Sequence, residues 1–237
     1  MTIKEAMAER QQEAGTQDVL PLESGDHLTR PEFERRYKAM PDLKKAELIE
    51  GVVHMPSPVR ASHSRSHSQV MTWLGNYWVA TPGITLHDNA TVRLDMDNEV
   101  QPDALLRLDS VLGGHSEIGS DDYIEGTPEL IVEIAASTAS YDLHDKLNVY
   151  RRNGVHEYIV WRIFDHQLDW FRLSEGQYVP LTPDKNGVIR SEILPGLQLD
   201  ITALLDGDLA QVLAELQQGL ATAEHAAFVE TLSAGSR

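Results

Sequence analysis

The chain predicts an α/β fold in which a mixed, mostly antiparallel β-sheet is flanked by helices and followed by a C-terminal helix. Three observations lead there. Short runs rich in Val, Ile, Leu and aromatic residues recur as "PELIVEIA", "HEYIVWRI" and "QLDWFRL", each bounded by turn residues. Two longer stretches carry apolar residues at helical spacing instead. The two kinds of segment interleave in the order β, β, α, β, β, β, α, β, β, β, which a segregated all-β or all-α chain would not show.

Residues 1–26 are polar and are expected to form a flexible segment, with no apolar core of a secretory signal. "LTRPEFERRYKAMP" reads as a short helix, with Thr29 as N-cap, Pro31 in the first turn and Pro41 as its end. "ELIEGVVHMPSP" reads as two strands joined at Glu50-Gly51 and closed by Pro56 and Pro58. In "SHSRSHSQVMTWLGNYWVA", Val70, Leu74 and Tyr77 with Met71 and Trp78 give one apolar helix face. "ATVRLDMDNEVQPDALLRL" alternates on both sides of Asp97-Asn98, a pair of antiparallel strands. "GGHSEIGSDDYIEGT" is expected to be a loop. The strand "PELIVEIA" follows, then a helix from Thr138 or Asp142 to Asn153 with Gly154 as its C′ residue. Three more strands come next, the last two turning at Glu175-Gly176. From Gly207 onward, Leu209, Val212, Leu213, Leu216 and Leu220 share one helical stripe. Residues 27–205 thus form the expected domain and 206–237 its helical extension.

Composition excludes several classes. There is no cysteine, hence no disulfide framework, thiolate metal site or cysteine nucleophile, which suits a reducing cytoplasm. No apolar run approaches the roughly 20 residues of a membrane span. The net charge of −17 counts against a broad phosphate-binding surface, while "RPEFERRYK" and "RASHSRSH" could still form local basic patches.

The chemistry starts from Glu133. It lies in the middle of an apolar strand and shares a face with Ile131 and Ala135. An unpaired carboxylate there would cost on the order of several kcal/mol to bury. Asp103 repeats the pattern, sharing a face with Leu105 and Arg107 just after Pro102. Two such carboxylates side by side need a cation between them, and hard oxygen ligands point to Mg²⁺ or Mn²⁺. Glu133 alone could equally be one half of a buried salt bridge with an arginine. Lys146 sits at the margin of the stripe made by Leu143, Leu147 and Tyr150, from where an ammonium can reach back over the sheet; pairing with Asp142 at i,i+4 is the alternative.

"PD" at Pro102-Asp103, "PELIVEI" and "YDLHDKLNVYRRNGVHEYIVW" resemble the PD-(D/E)xK nuclease superfamily, and within it the Uma-two family of restriction endonucleases. The similarity takes in "AELIEGVVHMPSPVRASH" and "ILPGLQLDITALL", so it spans roughly residues 28–205. It implies a restriction-endonuclease-like core, a DNA substrate, a divalent metal and a homodimer. It further implies that Asp103 binds metal, that Glu133 is the acidic residue of the (D/E)xK strand, and that Glu47 completes the metal site; a solvent-facing glutamate in its hairpin is the alternative for Glu47. The usual lysine position holds Ala135, and Lys146 on the next helix takes its place. His63 would line the substrate cleft. "EIAAST" is one residue shorter than the family's usual loop, which affects the register of Lys146.

Other constellations are weaker. His63 and His67 have zinc-ligand spacing, but "HSRSH" lacks the glutamate of a metalloprotease helix. "GGHS" is too short for a phosphate loop, and no nucleophile elbow is present. Trp73, Trp78, Trp161 and Trp170 are expected in the core or an interface. A nuclease-fold protein without catalysis, and hydrolysis of RNA or another phosphate ester, remain as competing functions.

Overall fold

The computed structural model describes residues 19–55, 58–136 and 139–235. Pro56, expected to close the second strand, Thr138, a candidate helix start, and most of the N-terminal segment lie outside these residues.

The main sheet has six strands in the order β12-β11-β10-β9-β6-β3, comprising β12 (Gln177–Pro180), β11 (Gln167–Ser174), β10 (Glu157–Arg162), β9 (Leu130–Ala135), β6 (Ala104–Leu108) and β3 (Ile84–Asp88). Only β9 and β10 pair in parallel; the other neighbours are antiparallel. β6 is interior rather than an edge, so Pro102 marks the start of a strand, where its missing N–H removes no ladder bond.

Both faces of this sheet are covered, which explains why β9 and β10 read as continuous apolar runs. One face, with Leu106, Val132, Ile134, Ile159 and Trp161, packs on helix α2 (Ala61–Ala80) through Val70, Trp73, Leu74 and Tyr77. The same cluster takes in β13 (Val188–Arg190), β14 (Gln198–Asp200), α5 (Ile201–Asp206) and α6 (Leu209–Leu220). Trp73 meets Trp170 edge-on at 5.8 Å and donates from its indole to the Gln198 carbonyl. Trp161 is also in this core, whereas Trp78 is 44% exposed.

The opposite face, with Leu105, Ile131, Tyr158 and Val160, meets a second six-stranded sheet, β2-β1-β5-β4-β8-β7. Its strands are β1 (Glu47–Ile49), β2 (Val52–His54), β4 (Val92–Arg93), β5 (Glu99–Val100), β7 (Ser116–Ile118) and β8 (Ile124–Gly126). Side chains alternate along β1. Ile49 therefore joins the core between the sheets, while Leu48 packs outward with Phe33 of α1 (Arg30–Lys38).

Several expectations are corrected. Instead of one sheet there are two, plus the β13–β14 pair. The segment "GGHSEIGSDDYIEGT" is not a loop throughout: β7 and β8 form a hairpin held on the second sheet by one buried residue each, Ser116 and Ile124. Gly126 has φ of 92°, and a Cβ there would meet the His115 carbonyl oxygen at 2.5 Å. The C-terminal stretch is two helices, α6 and α7 (Ala223–Gly235), rather than one. The helix after β9 begins as α3 (Ala139–Tyr141), widens into a π-helical turn (Asp142–Lys146) and continues as α4 (Leu147–Asn153), ending at left-handed Gly154. Among the described residues no helix is long and apolar enough to cross a membrane.

Candidate active site

The structure brings Glu47, Asp103, Glu133 and Lys146 together between the two sheets. Parity and register place them. Glu47 opens β1 on the face that Ile49 turns toward the main sheet. Ala104 pairs with Val132, so one further step sets Asp103 beside Glu133. Lys146 closes the π turn, and a widened turn of this kind often marks a functional site. All four side chains are buried.

Glu133 faces the Lys146 ammonium at 2.8 Å, and the same Oε1 accepts a 2.7 Å hydrogen bond from the Tyr150 hydroxyl. Lys146 also donates to Oε1 of Glu47 at 3.0 Å, and that oxygen accepts the Gln101 backbone N–H at 2.7 Å. The ammonium thus bridges a glutamate from each sheet. The buried partner of Glu133 is a lysine, not an arginine. Asp103 is held separately: its Oδ2 accepts the Ile134 backbone N–H at 2.7 Å and lies 3.3 Å from Nε2 of His63.

The electrostatics follow from this crowding. Burial pushes the Glu133 carboxyl up to about 8; Lys146 opposes the rise, and Asp142, Asp103 and Glu47 add to it. Burial raises Asp103 as well, but the His63 hydrogen bond, the Lys45 charge and the Ile134 amide together bring it below its ordinary value. Lys146 loses to burial and gains more from Glu133, Glu47 and Asp142, so it stays protonated. Four buried carboxyl groups, those of Glu47, Asp103, Glu133 and Asp142, thus crowd around one buried ammonium, and the crowding keeps a proton on Glu133 near neutral pH.

That donor set consists of hard oxygens, which is the chemistry Mg²⁺ and Mn²⁺ take. By chemistry and charge the residues fit such an ion. With the side chains as placed, no three His, Asp or Glu groups among the described residues stand close enough to hold one. Glu47 and Glu133 spend their Oε1 atoms on Lys146 instead.

Sequence reasoning missed two members of the site. Tyr150 was assigned to the apolar stripe, although its i+4 position from Lys146 puts its hydroxyl on the same carboxylate. His67 was weighed only as a zinc ligand. Its Nε2 lies 2.9 Å from the Asp103 carbonyl oxygen and 3.2 Å from Oδ1 of Asp88, so with His63 it brackets Asp103 from α2.

The family whose description reads "Putative restriction endonuclease" matches residues 30–202. A solved structure with the same fold is "a putative nuclease belonging to DUF820" from Anabaena variabilis; it is 13% identical, with a TM-score of 0.58 over 73% of this chain and 96% of that one. No curated protein matches the chain. At that identity the structural likeness speaks for the fold alone, a mixed sheet flanked by helices with helices at the C-terminus. The family match covers the whole of both sheets and all four site residues, and on that ground this chain is a member of the Uma2 family of putative restriction endonucleases.

Proposed function

We propose that this chain is a divalent-metal-dependent endonuclease that hydrolyses phosphodiester bonds in DNA. One observation carries the reading: Glu47 and Glu133, from one strand of each sheet, and Asp103, one residue ahead of β6, converge with Lys146 in a buried site that holds more carboxyl groups than ammonium groups. A structural ion pair needs one carboxylate per ammonium, and here there are more.

Asp103 and Glu133, with Glu47, are the residues that would hold Mg²⁺ or Mn²⁺. A bound ion of this kind lowers the pKa of its water and neutralises charge on the scissile phosphate. The protein's own groups then have distinct tasks. The Ile134 amide and His63 fix the Asp103 carboxylate in an ionised, oriented state. Lys146 and Tyr150 orient Glu133. The apolar walls from Ile131, Ala135 and Val160 restrict bulk water at that side. His63, 20% exposed at its side chain and 3.3 Å from Asp103, is the residue through which the site would meet a phosphate.

A second reading has one specific observation behind it. Lys146 already satisfies both glutamates, as it would in an inert scaffold kept for interaction, including pairing into a homodimer. The two readings separate in one assay, nicking of supercoiled plasmid with Mn²⁺ by wild type and by Asp103→Asn. The amide oxygen of asparagine still accepts from the Ile134 N–H, so the variant keeps the fold and loses a charge. The nuclease reading expects cleavage by wild type and none by the variant. Equal cleavage by both would remove Asp103 from the site.

A further inference from the structure

Lys146 is badly placed to meet a substrate. It is 3% exposed, and its ammonium is spent on Glu133 and Glu47. A phosphodiester arriving at Asp103 needs another cation.

The structure offers one in Lys45, two residues ahead of Glu47. Its side chain is only half-buried, and its Nζ has a single long contact, 3.4 Å to Oδ1 of Asn89. Asn89 is tied to the site: its backbone N–H points to the Asp103 carbonyl at 3.4 Å, and its amide donates to Asp88, the partner of His67. Lys45 is also near enough for its charge to act on Asp103. It forms no ion pair among the described residues. Other cations also lack an ion pair among the described residues, Lys185 included, but Lys45 combines that with a place beside Asn89, whose backbone N–H reaches the Asp103 carbonyl. In a chain of net charge −17, a half-buried lysine without an ion pair, placed beside Asp103, is a cation free to meet an arriving anion.

We propose that Lys45 is the cation that contacts the substrate phosphate at Asp103, while Lys146 only positions Glu47 and Glu133. The inference rests on the nuclease reading for its substrate class. It moves the substrate-facing lysine from the helix to the approach of β1.

The test is binding, not cleavage. Fluorescence anisotropy of a short mixed-sequence DNA duplex, without divalent metal, is followed from about 50 to 200 mM salt for wild type, Lys45→Ala, Lys45→Arg and Lys185→Ala. Lys185 is the control, an exposed lysine on the turn before β13 that also lacks an ion pair among the described residues. Losing one phosphate contact lowers the slope of log K against log salt by about one. The proposal expects that loss in Lys45→Ala, recovery in Lys45→Arg and no change in Lys185→Ala. It is overturned if Lys45→Ala keeps the wild-type slope, if Lys185→Ala loses as much, or if wild type does not bind the duplex. None of these outcomes bears on Mn²⁺ binding by the carboxylates, which decides the nuclease reading separately.

Discussion

Replacing Lys146 with Met removes a buried ammonium and leaves its stem volume in place. The perturbation is therefore electrostatic. Wild type holds Lys146 between two buried glutamates at 2.8 and 3.0 Å. Breaking a buried pair by deleting one partner costs about 3–5 kcal/mol, because the remaining charge is uncompensated. For a chain of this size that is a fall in Tm of about 10 °C. The cost depends on pH in a direction the structure fixes. Glu133 is raised from 4.5 to about 8, so its folded form holds the proton more tightly than its unfolded form. Stability from that proton is present below the unfolded value and is lost as pH climbs through the folded one. At about pH 9 wild-type Glu133 is ionised and paired with the ammonium, so Lys146→Met shows its full deficit; at about pH 6 Glu133 is protonated in both proteins and the deficit shrinks. Adding Glu133→Gln to Lys146→Met should recover most of the loss at about pH 9. Urea denaturation at both pH values measures it. A Lys146→Met protein as stable as wild type at both would refute the bridging role of the ammonium.

Further predictions follow from other parts of the fold. Glu157 is fully buried against the Trp170 indole and the Glu192 amide, and burial pushes its carboxyl up to about 7. The sign is the same as for Glu133: wild-type stability declines as pH rises from about 4.5 toward 7, by at most about 3–4 kcal/mol from this group. Glu157→Gln should flatten that part of the profile, and an unchanged slope would contradict the shift. Trp73→Ala removes the edge contact with Trp170 and the bond to Gln198, and should cost about 3–5 kcal/mol in denaturant unfolding. Gly126→Ala should destabilise by more than about 1 kcal/mol, since the added Cβ collides with backbone at a left-handed position. Loss of amide protection confined to β7 and β8 would locate that effect.

Much of this was legible because it depends on periods. The two-residue alternation picked out Glu133 and Asp103 as the polar members of a face of their own strands, and the antiparallel register of β6 on β9 makes them neighbours. Glu47 needed the resemblance, because a strand of three residues carries too little pattern to tell its inner face from its outer. The π turn was not legible at all: an i to i+5 turn has no compositional signature, yet it sets the direction of Lys146. Lys45 escaped for a different reason. Its role depends on what it does not contact, and an absent ion pair can only be seen once every neighbouring carboxylate has been placed. The hairpin of β7 and β8 was hidden by its Gly and Asp content, since each strand buries only a single residue.

The nuclease reading stands or falls on whether the carboxylates take a divalent ion. Calorimetric titration of Mn²⁺ into wild type, Asp103→Asn and Lys45→Ala measures this without a substrate. The account predicts binding by wild type, its loss in Asp103→Asn, and its retention in Lys45→Ala, which faces the phosphate and not the ion. Absence of binding by wild type up to millimolar Mn²⁺, or equal binding by Asp103→Asn, would contradict it.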